Sequence, residues 1–495
     1  MAIKPDVVIA GAGPAGSTAC YLLAGLGFRV LLLEKSGFPR YRIGESLTPS
    51  ILPVLDFLKL REKVESGGFL RMPGHIVCWG SAEARTGYYS ADQSRQGFQV
   101  WRERFDALLL EHAGGQKNAE VRLGAGVNAI SIHGRGATVQ AAREEPIRAR
   151  FFVDATGQAG VLARRNDLRR RDTAFRTIAV TGYWSGATAP AGDDFGNTML
   201  EAFENGVVWS VPLHNGLRNV TLLVDWSEGR RIRELGLAAF YRSEIEKLAY
   251  VSQFLVAADL PDVPRVTDAT LYTSREFAGR RFMLLGDAGL FIDPLSSEGV
   301  QTAMASAIAG AAVINTILKR PAAAAGALAF YRDAQNNAYS THYRQSAEYY
   351  DQERRWPDST FWRKRSGLFA SVRGSGVSGD GAGAALKPPS EVSHVRVAPH
   401  ARIERRPVLE WPYVETREVL VTDSNPRGLR YLHNVCLPAL LKEIKKKPAV
   451  TDIVAAYLGR REGRNADSGM VRAALVRLYR DGALTAIEPR EIRSG

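Results

Sequence analysis

The sequence predicts an α/β protein in which a Rossmann-type nucleotide-binding domain is interrupted by an antiparallel sheet and followed by a small winged-helix-like α+β domain. Three observations support this prediction. A glycine-rich strand-to-helix turn opens the chain. Residues 176–273 are rich in β-branched and aromatic residues, divided by Gly, Pro and Asn. Three stretches with helical periodicity lie within residues 391–495.

The composition is that of an ordinary globular protein. The 495 residues, 45% hydrophobic and 24% charged, allow two or three domains. No apolar run approaches the roughly 18 residues that span a bilayer, and no secretory signal opens the chain, so we predict a cytoplasmic protein without membrane contact. Three scattered cysteines give no disulfide framework, and no metal site is predicted. The net charge of +13 is dispersed, which favours an acidic protein partner or an Arg-rich genome over nucleic acid.

The turn that opens the chain fits a bound dinucleotide. A short apolar strand leads into G-x-G-x-x-G, formed by Gly11, Gly13 and Gly16, and a helix follows. The glycines permit a tight turn, close approach of a pyrophosphate and close helix–strand packing, and the helix N-terminus offers free N–H groups to phosphates. Glu34 ends the second strand, where its carboxylate can accept hydrogen bonds from a ribose.

Composition shifts divide the remaining chain. A parallel-type strand and helix return after the β-rich insert, a long aromatic and basic helical stretch follows, and a segment of Gly, Ser, Ala and Pro precedes the tail. The predicted parts are a discontinuous nucleotide-binding domain (1–175 and 274–330), a substrate-binding sheet (176–273), a helical region (331–371), a linker (372–390) and a small C-terminal domain (391–495).

Two further turns indicate a flavin dinucleotide. Gly286 and Asp287 follow an apolar strand, so that the carboxylate can bond a ribityl hydroxyl of FAD. Asp154 and Gly157 belong to a second strand-end turn that can close on the same dinucleotide. We therefore predict FAD as the cofactor.

Four motifs together resemble the FAD-dependent monooxygenases and halogenases, which share the p-hydroxybenzoate-hydroxylase-like fold. They are GAGPAG at Gly11, GESL at Gly44, R-x-R-F-D at Arg102 and GD at Gly286, and the resemblance covers residues 5–320. It implies that Arg102 and Asp287 contact FAD. The remaining predicted cofactor contacts are Ala15, Lys35, Arg42, Glu45, Ser46, Gly299 and Val300.

The resemblance also implies the chemistry. Members of this family form C4a-hydroperoxyflavin from reduced FAD and O₂, and the protein excludes water and orients the acceptor. No second G-x-G-x-x-G is present, so NAD(P)H has no Rossmann domain of its own. Reducing equivalents then come from NAD(P)H directly or through a partner flavin reductase.

GESL and DPLSSEGV are most similar to the flavin halogenases, but four positions depart from that family. Its lysine, which takes up hypohalous acid, is replaced by Met72, and Arg71 beside it stays protonated. Val207 stands where the first Trp of W-x-W-x-I-P is expected, although Trp209 and Pro212 match. Glu298 precedes Gly299 in the halide-binding pair, and the tryptophan-halogenase glutamate falls on Ser296. These departures favour hydroxylation over halogenation.

Three side chains are the candidate catalytic groups. His75 follows Gly74, His214 follows the W-S-V-P strand, and Glu298 stands at the head of a helix beside the predicted flavin turn. Histidine titrates near neutral pH and can transfer protons. The ordinary alternatives are packed or surface histidines, and a carboxylate that complements the helix dipole.

The C-terminal segment resembles a winged helix. Residues 437–447, 450–458 and 470–480 are helix-like, and residues 482–487 are a predicted short hairpin. In leader-peptide recognition domains such a module captures a peptide strand, so we predict that residues 391–495 dock a peptide or protein substrate. Dimerisation is a second possibility. DNA binding is disfavoured, because the charge of the tail is modest.

Together these features are similar to the maturation flavoproteins that hydroxylate a peptidyl tryptophan during tryptophylquinone biogenesis in quinohemoprotein amine dehydrogenases. Three alternatives stay open. One is a halogenase of an indole, phenol or pyrrole, acting on a free or carrier-bound substrate. Another is a non-catalytic flavoprotein regulator, and the last is an enzyme like geranylgeranyl reductase.

Overall fold

The computed structural model describes residues 4–142, 144–368, 393–423, 425–432 and 434–487. The chain forms two compact units. The first comprises Met1–Ala324 with Tyr331–Ala370, and the second comprises Ala325–Phe330 with Ser371–Gly495. The predicted linker at 372–390 lies outside the described residues.

The helices of the described chain are, in order, α1 (Pro14–Gly25), α2 (Leu52–Phe57), α3 (Arg61–Glu65), α4 (Arg102–Gly114), α5 (Val161–Arg165), α6 (Gly229–Leu235), α7 (Leu237–Ile245), α8 (Gly299–Lys319), α9 (Ala324–Asp351), α10 (Thr360–Arg365), α11 (Leu437–Ile444), α12 (Val450–Leu458) and α13 (Ser468–Arg480). The single long helix predicted for 331–365 is therefore two helices, α9 and α10.

The strands of the first unit are β1 (Val7–Ala10), β2 (Val30–Glu34), β3 (Ser46–Leu47), β4 (Leu70–Met72), β5 (Gly74–Cys78), β6 (Arg85–Tyr88), β7 (Gly97–Gln99), β8 (Ala119–Leu123), β9 (Val127–His133), β10 (Gly136–Ala141), β11 (Ile147–Ala149), β12 (Phe151–Asp154), β13 (Arg169–Arg171), β14 (Thr177–Ser185), β15 (Thr198–Phe203), β16 (Gly206–Pro212), β17 (Leu217–Asp225), β18 (Arg265–Asp268), β19 (Tyr272–Ser274), β20 (Ala278–Gly279) and β21 (Phe282–Leu284). Those of the second unit are β22 (Val395–Val397), β23 (Arg402–Glu410), β24 (Tyr413–Val421), β25 (Tyr431–Leu432), β26 (Val435–Cys436) and β27 (Leu484–Ala486).

The predicted Rossmann-type architecture is confirmed by a six-stranded sheet in the order β20-β21-β12-β1-β2-β8. Strand β1 pairs in parallel with both β12 and β2, and its four residues are buried. On one face of the sheet, Val8 and Ala10 pack in a cluster with residues of β10, β11 and α5. The hairpin predicted around residues 121–139 is placed too early. Strand β8 joins this sheet beside β2, and the hairpin is formed by β9 and β10.

The predicted substrate sheet has seven strands in the order β18-β14-β17-β16-β15-β5-β6. It differs from the prediction in two respects. Strands β5 and β6 come from residues 74–88, outside the predicted 176–273 segment, and β5 pairs in parallel with β15, so the sheet is mixed. The strand pair expected at 69–80 is not a pair either, because β4 joins β7 while β5 enters the large sheet. Pro73, which has no N–H to donate, separates the two.

The two faces of the large sheet have different coverings. On the face that we call the α7 face, Val208 and Leu222 pack in a cluster with Phe240 of α7. On the opposite α9 face, Val207 and Leu223 pack with Tyr350 of α9 and with α10. Alternation of side chains along each strand assigns every residue of β16 and β17 to one face or the other.

Helix α8 corrects the expectation that no apolar segment reaches membrane-spanning length. It is 21 residues long with a mean hydropathy of 1.4 over its best 18-residue window, and 72% of that window is buried inside the protein. Its small residues pack within the first unit, to which the helix belongs, and Ala303 and Ala307 are among those buried. Its apolar character is therefore explained by its place in a protein core.

The described part of the second unit contains the three predicted helices, α11, α12 and α13. Val471, Leu475 and Leu478 share the buried face of α13 as predicted. The hairpin predicted at 482–487 is wrong, because β27 pairs with β22, nearly ninety residues earlier in the chain. The hairpin of this unit is formed by β23 and β24, which the sequence analysis did not predict.

Candidate flavin and substrate site

The glycine-rich turn contacts the loop after β12 through backbone alone. Gly11 has φ +98°, and a Cβ there would overlap the carbonyl oxygen of Ala155. A Cβ on Gly16 would overlap the carbonyl oxygen of Gly11. Both positions therefore require glycine, and the turn leaves the N-terminus of α1 open to a ligand.

Glu34 fastens the end of β2 to this turn. Its Oε2 accepts a hydrogen bond from the backbone N–H of Ala12 at 2.8 Å, and its Oε1 accepts one from Ser36 at 3.1 Å. Arg40 Nε lies 3.9 Å from Oε2, and Arg40 also lies beside Gly13. A carboxylate has acceptor sites beyond these two N–H bonds, so Glu34 can still accept a ribose hydroxyl.

Asp154 has a different position from the one predicted. Its Oδ1 accepts hydrogen bonds from the N–H and hydroxyl of Thr156, and its Oδ2 accepts one from Leu162 N–H at 2.8 Å. The residue is completely buried. Asp154 therefore holds the loop that touches Gly11 and presents no exposed oxygen to a cofactor, whereas Gly157 in the same loop, with φ +65°, has open space around it.

Arg102 connects the start of α4 to the loop before β3. Its Nε donates to Asp106 Oδ1 at 3.0 Å, and its Nη1 donates to the carbonyl of Ile43 at 2.6 Å. Arg40 Nη1 also reaches Asp106, at 3.3 Å. The guanidinium is thus buried in an ion-paired network next to Gly44, whose missing Cβ leaves room for it.

Asp287 is the strongest candidate in this region for a side chain that binds a ligand. Burial raises its pKa to about 6, against the opposing effects of Arg102 and Arg169. Among the described residues, none donates a hydrogen bond to its side chain. Gly286 before it has φ +55°, and a Cβ there would lie 3.0 Å from Cβ of Ala303. A carboxylate without a donor at a strand end fits a hydroxyl of FAD.

Glu45 and Ser46, predicted as cofactor contacts, face the large sheet instead. Glu45 is buried and accepts hydrogen bonds from Gly44 N–H, Tyr183 Oη and Asn219 Nδ2. Ser46 Oγ donates to Gln99 Oε1 at 2.8 Å. Burial raises the pKa of Glu45. Glu45 therefore joins the loop to β14 and β17, and Ser46 joins it to β7 and, through Thr198 Oγ1 at 2.8 Å, to β15.

The remaining predicted contacts are spread around the turn. Ala15 lies beside Gly286, and Lys35 lies beside Gly126. Arg42 donates to the carbonyl of its neighbour Tyr41. The last two predicted contacts, Gly299 and Val300, are the first residues of α8, and the side chain of Val300 is buried.

An aromatic surface on the α9 face of the sheet adjoins Arg102. It is formed by Trp101, Tyr183, Leu200, Trp209 and Leu217. Trp101 and Tyr183 meet edge to face, with ring centroids 5.3 Å apart. The Nε1 of Trp209 is buried without a hydrogen-bond partner. Buried donors are normally paired, so this N–H is a candidate donor to a bound molecule.

Glu298 forms a pair that the sequence analysis did not predict. Its Oε2 lies 3.6 Å from Nε2 of His342, which comes from α9. Burial lowers the pKa of His342 while Glu298 raises it, and the imidazole Nδ1 is buried without a partner. Burial and the charge of Glu298 raise the pKa of Tyr89. The ring centroids of Tyr89 and His75 lie 5.6 Å apart.

His214 does not join this group. Its ring meets Phe69 edge to face at 5.4 Å, and burial together with Arg104 of α4 lowers its pKa. The three candidate catalytic side chains are therefore divided: Glu298 and His75 both lie near Tyr89, and His214 lies against α4. Among the described residues, no group of His, Cys, Asp and Glu could hold a metal ion.

Met72 is buried, with 1% of its surface exposed, and pairs with Gly97 in the small sheet of β3, β7 and β4. Its neighbour Arg71 forms an ion pair with Glu65 at 3.1 Å and lies over the ring of Phe98. Neither residue supplies a free amine.

Two residues of the site, His342 and Tyr183, were missed by the sequence analysis. Neither carries a local signal, because His342 lies within an aromatic and basic helix and Tyr183 within a strand of β-branched residues. Each becomes notable only through a distant carboxylate, Glu298 in one case and Glu45 in the other.

Comparisons with known proteins agree with this geometry. Residues 4–363 match the family of FAD binding domains. A tryptophan 2-halogenase of Chondromyces crocatus is 36% identical over 66% of this chain and 64% of its own length, slightly under two thirds of that relative. A flavin-dependent halogenase of Armillaria mellea is 32% identical over 68% of this chain and 69% of its own length.

Two solved structures resemble the chain along nearly its whole length. The flavin-dependent halogenase CmlS has a TM-score of 0.80 with 28% identity, covering 99% of this chain and 97% of CmlS. The peptidyl tryptophan dihydroxylase QhpG has a TM-score of 0.68 with 23% identity, covering 96% of this chain and 99% of QhpG, and shows the shared fold alone. The chain belongs to the FAD-binding family of the flavin-dependent halogenases, and it is an FAD-dependent enzyme of the oxidoreductase type.

Proposed function

We propose that this protein is a flavin-dependent halogenase that modifies an aromatic substrate. The observation that carries the proposal is the likeness to CmlS, which extends over 99% of the chain. The curated relatives named as halogenases support it at 32–36% identity. The preference for hydroxylation in the sequence analysis, which rested on four departures from the family pattern, is the less well supported of the two.

The residues of the site have separable tasks in this proposal. The glycine turn, Glu34 and Asp287 would hold FAD, which when bound supplies the oxidising chemistry. The aromatic surface around Trp209 would stack the substrate ring, and the unpaired Trp209 N–H would donate to a carbonyl, hydroxyl or carboxylate oxygen of the substrate. An indole, phenol or pyrrole that carries such an acceptor fits this description.

His342 is the proposed proton acceptor. Replacement of a ring hydrogen by another group releases a proton, and a neutral imidazole is the side chain best suited to take it near pH 7. Burial lowers the pKa of His342 and so keeps the imidazole neutral. Glu298, 3.6 Å away, would orient the ring and stabilise the imidazolium once it forms.

Hydroxylation is a second candidate because of one observation, the buried thioether of Met72. In the halogenase family a lysine at the matching position takes up hypohalous acid, and a thioether has no amine for that adduct. A peptidyl tryptophan would be the substrate under this reading. Docking of a peptide by residues 391–495 stays a prediction, as does the supply of electrons by a flavin reductase. The CmlS likeness also covers this tail, so the tail does not favour a peptide substrate.

Product mass separates the two candidates. The wild-type protein would receive FAD, NADH, a flavin reductase, O₂ and a panel of indoles, phenols and tryptophan peptides, with bromide or with no halide. Halogenation predicts a brominated product that depends on bromide. Hydroxylation predicts an oxygenated product in both conditions, and bromination only after Met72→Lys. Met72→Leu is the matched control, because it conserves volume without an amine.

A further inference from the structure

A buried guanidinium on the α7 face of the large sheet has no part in the proposed function. Arg218 in β17 is 2% exposed. Its Nη1 donates to Ser210 Oγ at 3.0 Å and lies 3.7 Å from Met199 Sδ. These contacts use one of its three nitrogens, and the other two make no hydrogen bond within the part of the chain that the structure describes.

The charge of Arg218 is also uncompensated. No carboxylate of the described residues comes within 4.0 Å of its nitrogens, whereas Arg102 is paired with Asp106 and the equally buried Arg365 lies 3.5 Å from Asp225 Oδ2. A guanidinium does not lose its proton at physiological pH, so a buried one requires a counter-charge.

An acidic side chain on this face already has other partners. Glu201, two residues beyond Met199 on β15, accepts hydrogen bonds from the N–H groups of Ala249, Tyr250 and Val251. It is therefore committed to the turn after α7. Burial lowers the pKa of Arg218 to about 10, which agrees with a cation that the protein itself leaves unpaired.

The surroundings of Arg218 select a small anion. The ring of Phe254 lies 5.9 Å from the guanidinium carbon, and the neighbouring side chains of the α7 face, among them Val220, are apolar. The polar groups of the described residues around the guanidinium are the hydroxyl of Ser210, which it contacts, and the phenol of Tyr250, which interacts with it electrostatically. Because Ser210 accepts from Arg218 through its oxygen, its own O–H is free to donate to the same anion.

We propose that Arg218 and Ser210 form a binding site for one small monovalent anion of the halide class, on the opposite face of the sheet from the aromatic surface. The anion neutralises the guanidinium and thereby stabilises the fold of the sheet and its covering helices. Anion binding at this site requires neither flavin nor turnover, so it can be tested independently of the proposed function.

Diffraction from bromide-soaked crystals of the full-length wild-type protein tests the site directly. The expected result is an anomalous bromide peak in contact with the Arg218 guanidinium and Ser210 Oγ. Absence of a peak there, while bromide is found elsewhere on the same molecules, would overturn the proposal.

Thermal unfolding provides the solution test. The melting temperature of the FAD-free wild type should rise as sodium chloride replaces sodium gluconate at constant ionic strength. Arg218→Met should abolish that dependence, Ser210→Ala should weaken it, and Arg242→Met should leave it intact, because Arg242 is an exposed cation on α7. If Arg218→Met does not fold, the wild-type and Ser210→Ala titrations decide. A chloride response that is equal in Arg218→Met, or absent from wild type, contradicts the site.

Discussion

The flavin turn and the aromatic surface are built by different means. Around Gly11 the protein brings three backbone segments into contact, and no side chain could be added at Gly11 or Gly16 without overlap. On the aromatic surface, by contrast, side chains from separate elements converge, and Trp209 Nε1 remains unpaired in the interior.

This difference has a functional consequence. A backbone site tolerates little change, because an added side chain overlaps the neighbouring backbone. A side-chain site can change its substrate or its chemistry by single substitutions, and its unpaired polar atoms show where a bound molecule completes it. The predictions below test whether the two regions fail in these two different ways.

The largest effect is expected at Gly11. Gly11→Ala should abolish retention of FAD, measured as flavin absorbance after purification, because the new Cβ overlaps the carbonyl of Ala155. Gly27→Ala is the matched control. Gly27 also has positive φ, +90°, but has no atom near its Cβ position, so it should lose only about 1 kcal/mol of stability and keep its flavin. Equal flavin retention in the two variants would show that FAD binding does not depend on the close contact between Gly11 and Ala155.

The second-largest effect is expected from substitution of His342. His342→Gln should lower kcat roughly 10²- to 10⁴-fold, the usual contribution of a general base, while flavin binding is retained. His214→Gln is the control, since His214 lies against Phe69 and Arg104 and should leave kcat nearly unchanged. If steady-state kinetics show the larger loss of kcat in His214→Gln, His342 is not the proton acceptor.

Asp287→Asn should affect stability and binding in opposite directions. The folded pKa of Asp287, about 6, is above its ordinary 3.8, so ionising this partly buried acid destabilises the fold as pH rises from about 4 to about 6. At pH 7 the FAD-free variant should therefore be more stable than wild type, by up to about 3 kcal/mol. Its FAD affinity should fall about 10- to 100-fold through loss of a charged acceptor.

Urea unfolding at pH 4 and pH 7, together with flavin titration, measures both effects of Asp287→Asn. The stability gain should shrink between pH 7 and pH 4 and vanish near pH 3, below the ordinary pKa of 3.8, where the acid is protonated in both the folded and the unfolded protein. A variant that is destabilised at pH 7 and binds FAD normally would show that Asp287 is a structural group.

A smaller effect is expected from Trp209→Phe. The ring is kept and the N–H is lost, so KM should rise about 5- to 10-fold with kcat little changed, as expected for one neutral hydrogen bond to the substrate. Substrate analogues that lack the acceptor should bind wild type and variant equally. An equal loss for both kinds of substrate would mean that the N–H does not contact the substrate.

The smallest expected effect is a shift of the kcat–pH profile in Glu298→Gln. Because the charge of Glu298 raises the pKa of His342, Glu298→Gln should move the acidic limb of the kcat profile to lower pH, by about one unit or less. A shift to higher pH, or an unchanged limb, would show that His342 does not titrate in the profile.

The sequence predicted the flavin turn because its determinants are local. Gly11, Gly16, Glu34 and Asp287 are each recognisable from a few neighbours, and the strands and helix around them are as expected. Glu45 and Asp154 were predicted as cofactor contacts from their neighbouring residues, yet their side chains turn to Tyr183 and to Leu162. The direction of a side chain in a loop depends on distant partners.

The same limit explains the other errors. His342 meets Glu298 only when α9 crosses the head of α8, and β27 finds its partner in β22 at the other end of the tail. Strand β5 has the alternation of a half-buried strand, but nothing near it specifies that it pairs with β15. Long-range pairing of this kind leaves no periodic signal in the sequence.

Halogenation and hydroxylation are distinguished by the mass of the product that the wild-type enzyme forms with and without bromide. With FAD, NADH, a flavin reductase and O₂, the proposed function predicts an aromatic product in which bromine replaces hydrogen, recognised by its isotope pattern and absent without halide. A product that gains oxygen equally in both conditions would contradict halogenation and establish hydroxylation.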